Sequence, residues 1–383
     1  MGTSKMIDKL NSEKATMISA LSDTIKQDSK QAKQHESMTL SAVIKHYINE
    51  KKDSWVHKTK LENEHIFKLA LAIIGDKDVA DLTHLDFIAY RDILKTLPTN
   101  YEKKKEYQDK TMEEIAGIAK DKGDKPISKK TLNKNLQGTS SLMSWCEKHG
   151  YVGKNGAKGL AIKDKQNPSD KRKPYNTEDI QRLINSPIYT NGFPVKRPER
   201  FWIPLMGLFS GCRLNEICSL YLKDIVETEG VHCFDINYDG DDKHTKTESS
   251  VRKVPVHPLL VKIGLLDYVK KLKLKGEQRL FPKLNYTDGN GYGGAFGKWY
   301  GRYSRDFITT DKNKVFHSFR RTVADSLKQQ GVDYKQIEEI LGHKDDSMST
   351  GYYAEPFNPK ILFEALKKLD YGLDFSSIKY PVD

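Results

Sequence analysis

Along the first part of the chain, apolar residues recur at the spacing of an amphipathic helix. The first such stripe consists of Leu40, Val43, Ile44 and Tyr47. Gly75 is placed to end a second helix, and Thr83 and Ser128 are placed to begin two later ones. We therefore predict a small all-helical domain over residues 38–162, in which the charge-dense stretch 99–126 forms an exposed insertion or a solvated helix.

Two polar stretches flank this domain. Residues 1–36 are rich in Ser, Gln and Lys, which predicts a flexible or helical N-terminal arm. Residues 163–176 are polar, basic and twice interrupted by Pro, which predicts an interdomain linker. Its bases Lys171, Arg172 and Lys173 are candidates to follow a DNA backbone, and a solvated tether is the alternative.

The pattern then predicts a second, larger domain over residues 177–355. Thr177 is placed to cap its first helix, and helical spacing continues through residues 202–220. Alternating polarity at residues 233–238 and 251–256 predicts two strands of a hairpin that are joined by a long turn. The remainder is helical, so the predicted fold class is mainly α with a small antiparallel β-sheet.

An amphipathic helix is predicted once more near the end of the chain, within a C-terminal helix and tail at residues 356–383. Its apolar face consists of Ile361, Leu362, Ala365, Leu366 and Leu369. Packing of this face against its own domain is one interpretation.

The charge balance adds a polyanionic partner to this picture. The chain of 383 residues has 64 Lys plus Arg against 52 Asp plus Glu, a net charge of +12 and a pI near 9.1. Such an excess suits DNA, because each neutralised phosphate releases condensed counterions.

Other sequence features exclude several protein classes. We find no run of about 18 apolar residues, which argues against a membrane span, and the first residues lack a secretory signal. The four cysteines form no C-x-x-C pair, which indicates free thiols rather than a zinc site or disulfides. We expect a cytoplasmic, DNA-associated protein without a membrane partner.

The segment GLFSGCRLNEICSL is the first of three that offer complementary chemistry. Arg213 and Glu216 are three residues apart, so they share one helical face. An arginine there can hold a phosphate through its planar fork while the glutamate orients it. An ordinary surface ion pair is the alternative.

The predicted hairpin is the second segment. Lys243, Lys246, Arg252 and Lys253 crowd a turn that we expect to project from the sheet. A solvated basic loop is the better interpretation of this segment alone, and contact with a nucleic-acid backbone is the alternative.

The third segment is VFHSFRRTVADSLKQQGVDYKQIEEILGHKDDSMSTGYYAE. His317 and Arg320 share a helical face, and Gly342 is placed to end the next helix before His343. Two adjacent tyrosines, Tyr352 and Tyr353, follow about ten residues later. Two histidines, an arginine and a tyrosine near helix ends favour a site over isolated structural residues.

The order Arg, Lys, H-x-x-R, L-G-H and Tyr resembles the catalytic signature of the tyrosine recombinase (phage integrase) family. The matching segments are SGCRLNEI, TKTESSVRKVPVHP, HSFRRTVADSL and LGHKDDSMSTGYYAE. They extend over residues 177–360, and the preceding helical region fits the family's core-binding domain by position and pattern.

The resemblance implies a role for each matching residue. Arg213 and Arg320 would clamp the scissile phosphate, and His317 and His343 would hydrogen-bond it, with His317 accepting the proton of the tyrosine. Lys246 would protonate the leaving 5′-oxygen, and Lys253 is a less favoured substitute; Glu216 would support the site, and Arg321 joins the DNA-binding candidates.

The identity of the nucleophile stays open between the two tyrosines. The family places its tyrosine nine or ten residues after the L-G-H histidine, and Tyr352 and Tyr353 stand at those two positions. We favour Tyr353, because Met348 and Ala354 complete the pattern around it, and Tyr352 is the alternative.

The resemblance also implies the reaction and its partners. It implies cleavage and rejoining of DNA attachment sites through a 3′-phosphotyrosine and a Holliday junction, with no cofactor, metal or ATP. The partners would be a homotetramer on two duplexes, linked by the C-terminal helix, and an accessory DNA-bending or directionality factor. Two alternatives are a type IB topoisomerase and a non-catalytic regulator that uses residues 318–341 as a helix-turn-helix.

Overall fold

The computed structural model describes residues 38–163, 172–190, 196–240, 242–243, 251–342 and 355–381. The chain divides into two compact units, residues 1–165 and residues 166–383. No helix in these described ranges is long and apolar enough to cross a membrane.

Unit 1 is built from α-helices. They are α1 (Leu40–Lys51), α2 (His57–Ile74), α3 (His84–Thr96), α4 (Met112–Lys122) and α5 (Lys129–Lys148). Gly75 ends α2 with a positive φ of 85°, and Ser128 caps α5 by accepting from the Thr131 N–H at 3.1 Å. The side chain of Asp86 closes the start of α3 by accepting from the Thr83 N–H at 2.9 Å. The predicted boundaries at Gly75, Thr83 and Ser128 are therefore confirmed.

The charged stretch 99–126 is more ordered than its composition suggests. It contains α4, whose face of Ile115, Ala116 and Ala119 is buried, and Tyr107 is only 3% exposed. The predicted alternatives were an exposed insertion and a solvated helix. A helix is present, but it is not fully solvated, because its few apolar residues lie on one face and reach the helical core.

Unit 2 combines helices with one sheet. Its elements before and within the sheet are α6 (Thr177–Ile184), α7 (Pro187–Thr190), α8 (Pro198–Ser210), α9 (Leu214–Cys218), β1 (Ile225–Thr228), β2 (Val231–Ile236) and β3 (Arg252–Pro255). The elements that follow are α10 (Pro258–Ile263), α11 (Leu265–Leu274), α12 (Gly293–Phe307), α13 (Ser318–Gln329), α14 (Tyr334–Leu341) and α15 (Pro359–Lys367). The mainly α fold class with a small antiparallel sheet is confirmed.

The sheet has the order β1-β2-β3 with both pairings antiparallel. β2 and β3 pair with Phe234 opposite Val254 and Ile236 opposite Arg252, which confirms the predicted hairpin. The first strand was not predicted, because its four residues are too few to show a clear alternation.

Two predicted helix boundaries differ from the structure. Asn176, not Thr177, caps α6, since its side chain accepts from the Asp179 N–H at 2.9 Å. The helical stretch 202–220 is interrupted after Ser210, where Gly211 adopts a left-handed φ of 66°. α8 is buried along nearly its whole length and contacts α13, so this interruption lies inside the core.

The C-terminal segment packs against its own unit. Leu362, Ala365 and Leu366 of α15 are buried, and α15 contacts β2, β3 and α14. Beyond α15, the Tyr371 hydroxyl donates to the Leu208 carbonyl at 2.6 Å, and the Tyr380 N–H donates to the Ile263 carbonyl at 3.1 Å. The tail thereby covers α8 and α10.

His257 lies beneath this tail and makes folding sensitive to pH. Its ring packs on Phe209 with centroids 4.8 Å apart, and its side chain is 8% exposed. Its Nδ1 accepts from the Leu259 N–H at 3.2 Å, while its Nε2 is buried without a hydrogen-bond partner among the described residues. Burial lowers the pKa of His257 to about 4.

We predict that unit 2 loses stability as the pH falls from about 6.5 to about 4. In this window the unfolded chain binds a proton at His257 that the folded chain does not. The free energy of unfolding therefore decreases as the pH is lowered. The loss should approach about 3 kcal/mol near pH 4. Urea denaturation at pH 7.5 and pH 4.5 measures it.

His257→Asn is the matched variant for this measurement. Asparagine can cap α10 but does not titrate, so the variant should be less stable at pH 7.5 and lose less on acidification. Equal acid sensitivity in the two proteins would assign the effect to other groups.

A second prediction concerns the interruption at Gly211. A Cβ at this position would lie 2.6 Å from Leu341 Cδ2, in addition to the strain of its positive φ. Gly230 has a similar φ of 77° with no atom within 4 Å of such a Cβ. Gly230→Ala should cost about 1 kcal/mol, and Gly211→Ala about 1–3 kcal/mol more. Equal costs in urea denaturation would show that Leu341 yields without resistance.

Candidate active site

Arg213 stands at the start of α9, where the chain leaves the Gly211 turn. Its backbone N–H donates to Glu216 Oε2 at 2.8 Å, and its Nη1 donates to Glu216 Oε1 at 2.6 Å. Its Nη2 donates to the Gly342 carbonyl at 3.3 Å, at the end of α14. The predicted pair of Arg213 and Glu216 is present, and the arginine side chain keeps 28% of its surface exposed.

Glu216 is the buried carboxylate of this site, with 9% of its side chain exposed. Arg252 Nη2 donates to Glu216 Oε2 at 2.9 Å, so the carboxylate lies between two guanidinium groups. Burial raises the pKa of Glu216, but the charges and hydrogen bonds of Arg252 and Arg213 outweigh it and hold the pKa at about 2. Glu216 is therefore ionised at neutral pH.

Arg320 extends from α13 into the same region and is 4% exposed. Its Nη1 donates to the Gly211 carbonyl at 3.1 Å, while its Nη2 is buried without a hydrogen-bond partner among the described residues. Burial and the charges of Arg213 and Arg252 lower the pKa of Arg320 to about 10, so it remains charged at pH 7. An unsatisfied charged donor of this kind is suited to an anionic oxygen.

His317 immediately precedes α13 and lies on the exposed side of this cluster. Partial removal from water lowers its pKa, and the charges of Arg320 and Arg213 lower it further. The imidazole is therefore neutral at pH 7 and able to accept a proton.

The arrangement can bind an anion and move a proton. Two guanidinium groups bind the Glu216 carboxylate, and the charge of Arg320 interacts with both of them, so positive charge is in excess beside a neutral imidazole. Such a site can stabilise the negative charge of a phosphoryl-transfer transition state. No group of three or more His, Cys, Asp or Glu side chains able to hold a metal occurs among the described residues.

Several predicted site residues lie outside the described ranges. They are Lys171, Lys246, His343, Tyr352 and Tyr353. Of the predicted catalytic residues, the structure brings together Arg213, Arg320 and His317, with Glu216 in support.

The basic residues predicted to contact DNA divide into two groups. Arg172, Lys173 and Lys253 have exposed side chains, and the Arg321 guanidinium donates to the Arg172 carbonyl beside the start of α13. Lys173 also forms a 3.1 Å ion pair with Asp311. Arg172, Lys173 and Lys253 keep the surface position that the prediction needs, and Arg321 is half-buried.

Lys243 and Arg252 correct the prediction, because neither projects from the hairpin. Lys243 Nζ is buried and contacts Asp224 Oδ2 and Asn237 Oδ1, each at 2.6 Å. Arg252 is 9% exposed and faces Glu216. Burial opposite a carboxylate makes both cations internal partners, not contacts for a DNA backbone.

The sequence contained a signal for the inward position of Arg252. Side chains of a strand alternate between faces, so Arg252 shares a face with Val254 and Val256, and all three are buried. The same alternation that predicts the strand therefore also predicts which of its side chains face inward. The carbonyls of Gly211 and Gly342 were also missed, since no side-chain pattern reports a backbone acceptor.

Comparison with known proteins is consistent with this site. The model of the phage integrase family matches residues 173–358. The tyrosine recombinase XerC of Thermodesulfovibrio yellowstonii is 26% identical over 257 residues, which cover 66% of this chain and 80% of that protein.

Solved structures show the same fold. The Tn1549 transposon integrase in complex with transposon right end DNA has a TM-score of 0.55 at 19% identity, covering 84% of this chain and 96% of that one. A lambda integrase dimer bound to a COC′ core site has a TM-score of 0.55 at 15% identity, covering 84% and 99%. A lambda integrase tetramer bound to a Holliday junction has a TM-score of 0.54 at 14% identity, covering 88% and 90%. The family model and the arginine-rich site fall on the same residues, so residues 173–358 of this chain match the phage integrase family.

Proposed function

We propose that this chain is a site-specific recombinase that cleaves and rejoins DNA through a covalent 3′-phosphotyrosine. The observation that carries the proposal is the buried Arg320 guanidinium, whose Nη2 has no partner among the described residues and lies beside Arg213. This donor lacks an acceptor, and a negatively charged phosphodiester oxygen has the charge and size to serve as one.

The proposed cleavage step is a transfer of the phosphoryl group to tyrosine. The hydroxyl oxygen of Tyr353, or alternatively Tyr352, bonds to phosphorus, and the bond to the 5′-oxygen breaks. His317 takes the tyrosine proton, because its lowered pKa leaves it neutral at pH 7. Lys246 gives a proton to the leaving 5′-oxygen, and Arg213, Arg320 and His343 hold the phosphate oxygens.

This chemistry requires no metal ion and no nucleotide. Guanidinium groups supply the positive charge that a metal provides in other phosphoryl transfers. The phosphotyrosine keeps the energy of the phosphodiester bond, so attack by a 5′-hydroxyl reverses the step and reseals the strand.

The proposed partners are DNA attachment sites of a mobile element. Residues 38–162 would act as the core-binding domain, residues 163–176 as a basic linker, and residues 177–355 as the catalytic domain. Lambda integrase has been solved as a dimer on a core site and as a tetramer on a Holliday junction. We propose a homotetramer on two duplexes in the cytoplasm, with an accessory DNA-bending or directionality factor.

The proposed tetramer bears on the position of α15. In the single chain Leu362, Ala365 and Leu366 of the apolar face of α15 are buried by its own unit, whereas Ile361 is 45% exposed. If α15 were exchanged between protomers, its apolar face would have to be buried against the partner protomer, because exposing that face would lose hydrophobic stabilisation.

Covalent trapping tests the proposed function and identifies the nucleophile. Wild type, Tyr353→Phe and Tyr352→Phe are incubated in EDTA with nicked DNA from the sequences that flank the gene, and denaturing gels report protein–DNA adducts. We expect an adduct from wild type and Tyr352→Phe but none from Tyr353→Phe. EDTA should not change the yield, since the proposed charge stabilisation uses side chains alone.

Each remaining outcome has a distinct meaning. Loss of the adduct only in Tyr352→Phe would exchange the roles of the tyrosines within the same mechanism. Absence of an adduct from wild type on DNA that it binds would contradict the proposed chemistry.

Substitution of Arg320 tests the phosphate clamp separately from DNA binding. Arg320→Met should slow single-turnover cleavage by roughly 100-fold or more, because a preorganised donor to the transition state is lost. Arg321→Met is the neighbouring control and should weaken DNA binding and its salt dependence while leaving the cleavage rate of bound DNA within a few-fold. Equal cleavage by wild type and Arg320→Met at saturating protein would remove Arg320 from the clamp.

A further inference from the structure

Arg252 connects three segments of unit 2 from a buried position. It lies on β3, its Nε donates to the Ile340 carbonyl at 2.8 Å, and its Nη2 donates to Glu216 Oε2 at 2.9 Å. A third contact joins its Nη2 to Cys212 Sγ at 3.8 Å. The sheet, the start of α9 and the end of α14 are thus held by one guanidinium group.

The backbone at the end of α14 is shaped to admit this group. Gly342 has a φ of 63°, and a Cβ there would lie 2.8 Å from Arg252 Nη1 and 3.0 Å from its Cδ. The close approach lets Arg252 reach the Ile340 carbonyl while the Gly342 carbonyl accepts from Arg213 Nη2. Arg252 on β3 and Arg213 at the start of α9 therefore bind the same end of α14.

The two arginines share both oxygens of Glu216. Oε2 accepts from the Arg213 backbone N–H and from Arg252 Nη2, and Oε1 accepts from Arg213 Nη1 at 2.6 Å and from Arg252 Nη1 at 3.4 Å. Arg252 thus holds the carboxylate through both oxygens while Arg213 Nη1 donates to Oε1. Without Arg252, Oε2 becomes accessible, and a two-point fork between Arg213 and Glu216 is the strongest pairing available to them.

We infer that Arg252 is a positioning residue for DNA cleavage: by holding Glu216 and the end of α14, it keeps the Arg213 guanidinium oriented toward the scissile phosphate. The inference rests on the proposed function, since it assigns Arg213 to the phosphate. It replaces the earlier prediction that Arg252 contacts DNA.

A double-mutant cycle between Arg252 and Glu216 tests the inference in the full-length protein. Wild type, Arg252→Met, Glu216→Gln and the double variant are compared for single-turnover adduct formation and for DNA affinity. Arg252→Met should slow cleavage by about 100-fold, because a small displacement of a catalytic group has effects of that size. DNA affinity should stay within about threefold, since a buried side chain contributes little to the phosphate contacts of binding.

The cycle carries the decisive readout. If Arg252 acts through Glu216, adding Arg252→Met to Glu216→Gln should slow cleavage by less than about threefold more, because the effects of coupled residues are not additive. A full 100-fold effect of Arg252→Met in the Glu216→Gln background would overturn the inference.

Arg252→Lys and Arg197→Met separate positioning from loss of stability. Lysine keeps the charge but not the fork, so Arg252→Lys should lie between wild type and Arg252→Met. If Arg252→Met does not fold, the cleavage rate of Arg252→Lys alone tests the inference. Arg197 Nη1 contacts the buried Glu199 at 3.4 Å, so Arg197→Met also removes a guanidinium from a buried carboxylate. It should lower the melting temperature without slowing cleavage.

The remaining outcomes distinguish this inference from the proposed function. Absence of an adduct from wild type contradicts the proposed function. If wild type forms an adduct, and Arg252→Lys and any folded Arg252→Met cleave within twofold of the wild-type rate, the inference is overturned. The proposed function would stand in that case. A fall in DNA affinity as large as the fall in cleavage also overturns it, because Arg252 would then contribute to binding.

Discussion

Arg213, Arg252 and Arg320 bring three positive charges into one part of unit 2, where the Glu216 carboxylate lies between the first two. Burial, together with repulsion from Arg213 and Arg252, lowers the pKa of Arg320 to about 10. Charges this close disfavour the folded state unless other groups offset them. How the chain accommodates these three cations determines the backbone path around them.

Much of the compensation comes from main-chain carbonyls at helix ends. Gly211 ends α8 and its carbonyl accepts from Arg320, while the end of α14 supplies the carbonyls of Ile340 and Gly342 to Arg252 and Arg213. The C-terminus of a helix carries partial negative charge, so it stabilises cations without neutralising them. The local excess of positive charge that a phosphate requires therefore persists in the folded protein.

The sequence predicts side-chain patterns better than it predicts these backbone contacts. Helical periodicity located α13 and α14, and the spacing of Arg213 and Glu216 predicted their contact because residues three apart share a helical face. The interruption at Gly211 was missed, since apolar residues continue on both sides of it. Lys243 was assigned to the surface because its partner Asp224 is distant in sequence, and no local pattern reports such a pairing.

Lys243 and Arg320 are both buried cations, but they differ in how fully the protein compensates their charge. Lys243 is buried with a carboxylate and an amide oxygen within 2.6 Å, so its charge is compensated within the protein. Arg320 is equally buried, yet its Nη2 has no acceptor among the described residues. Leaving such a donor unsatisfied costs about 1–3 kcal/mol. A chain that tolerates this cost at Arg320 while compensating Lys243 fully retains binding energy for an acceptor from outside, and in the proposed function that acceptor is the phosphate of a DNA strand.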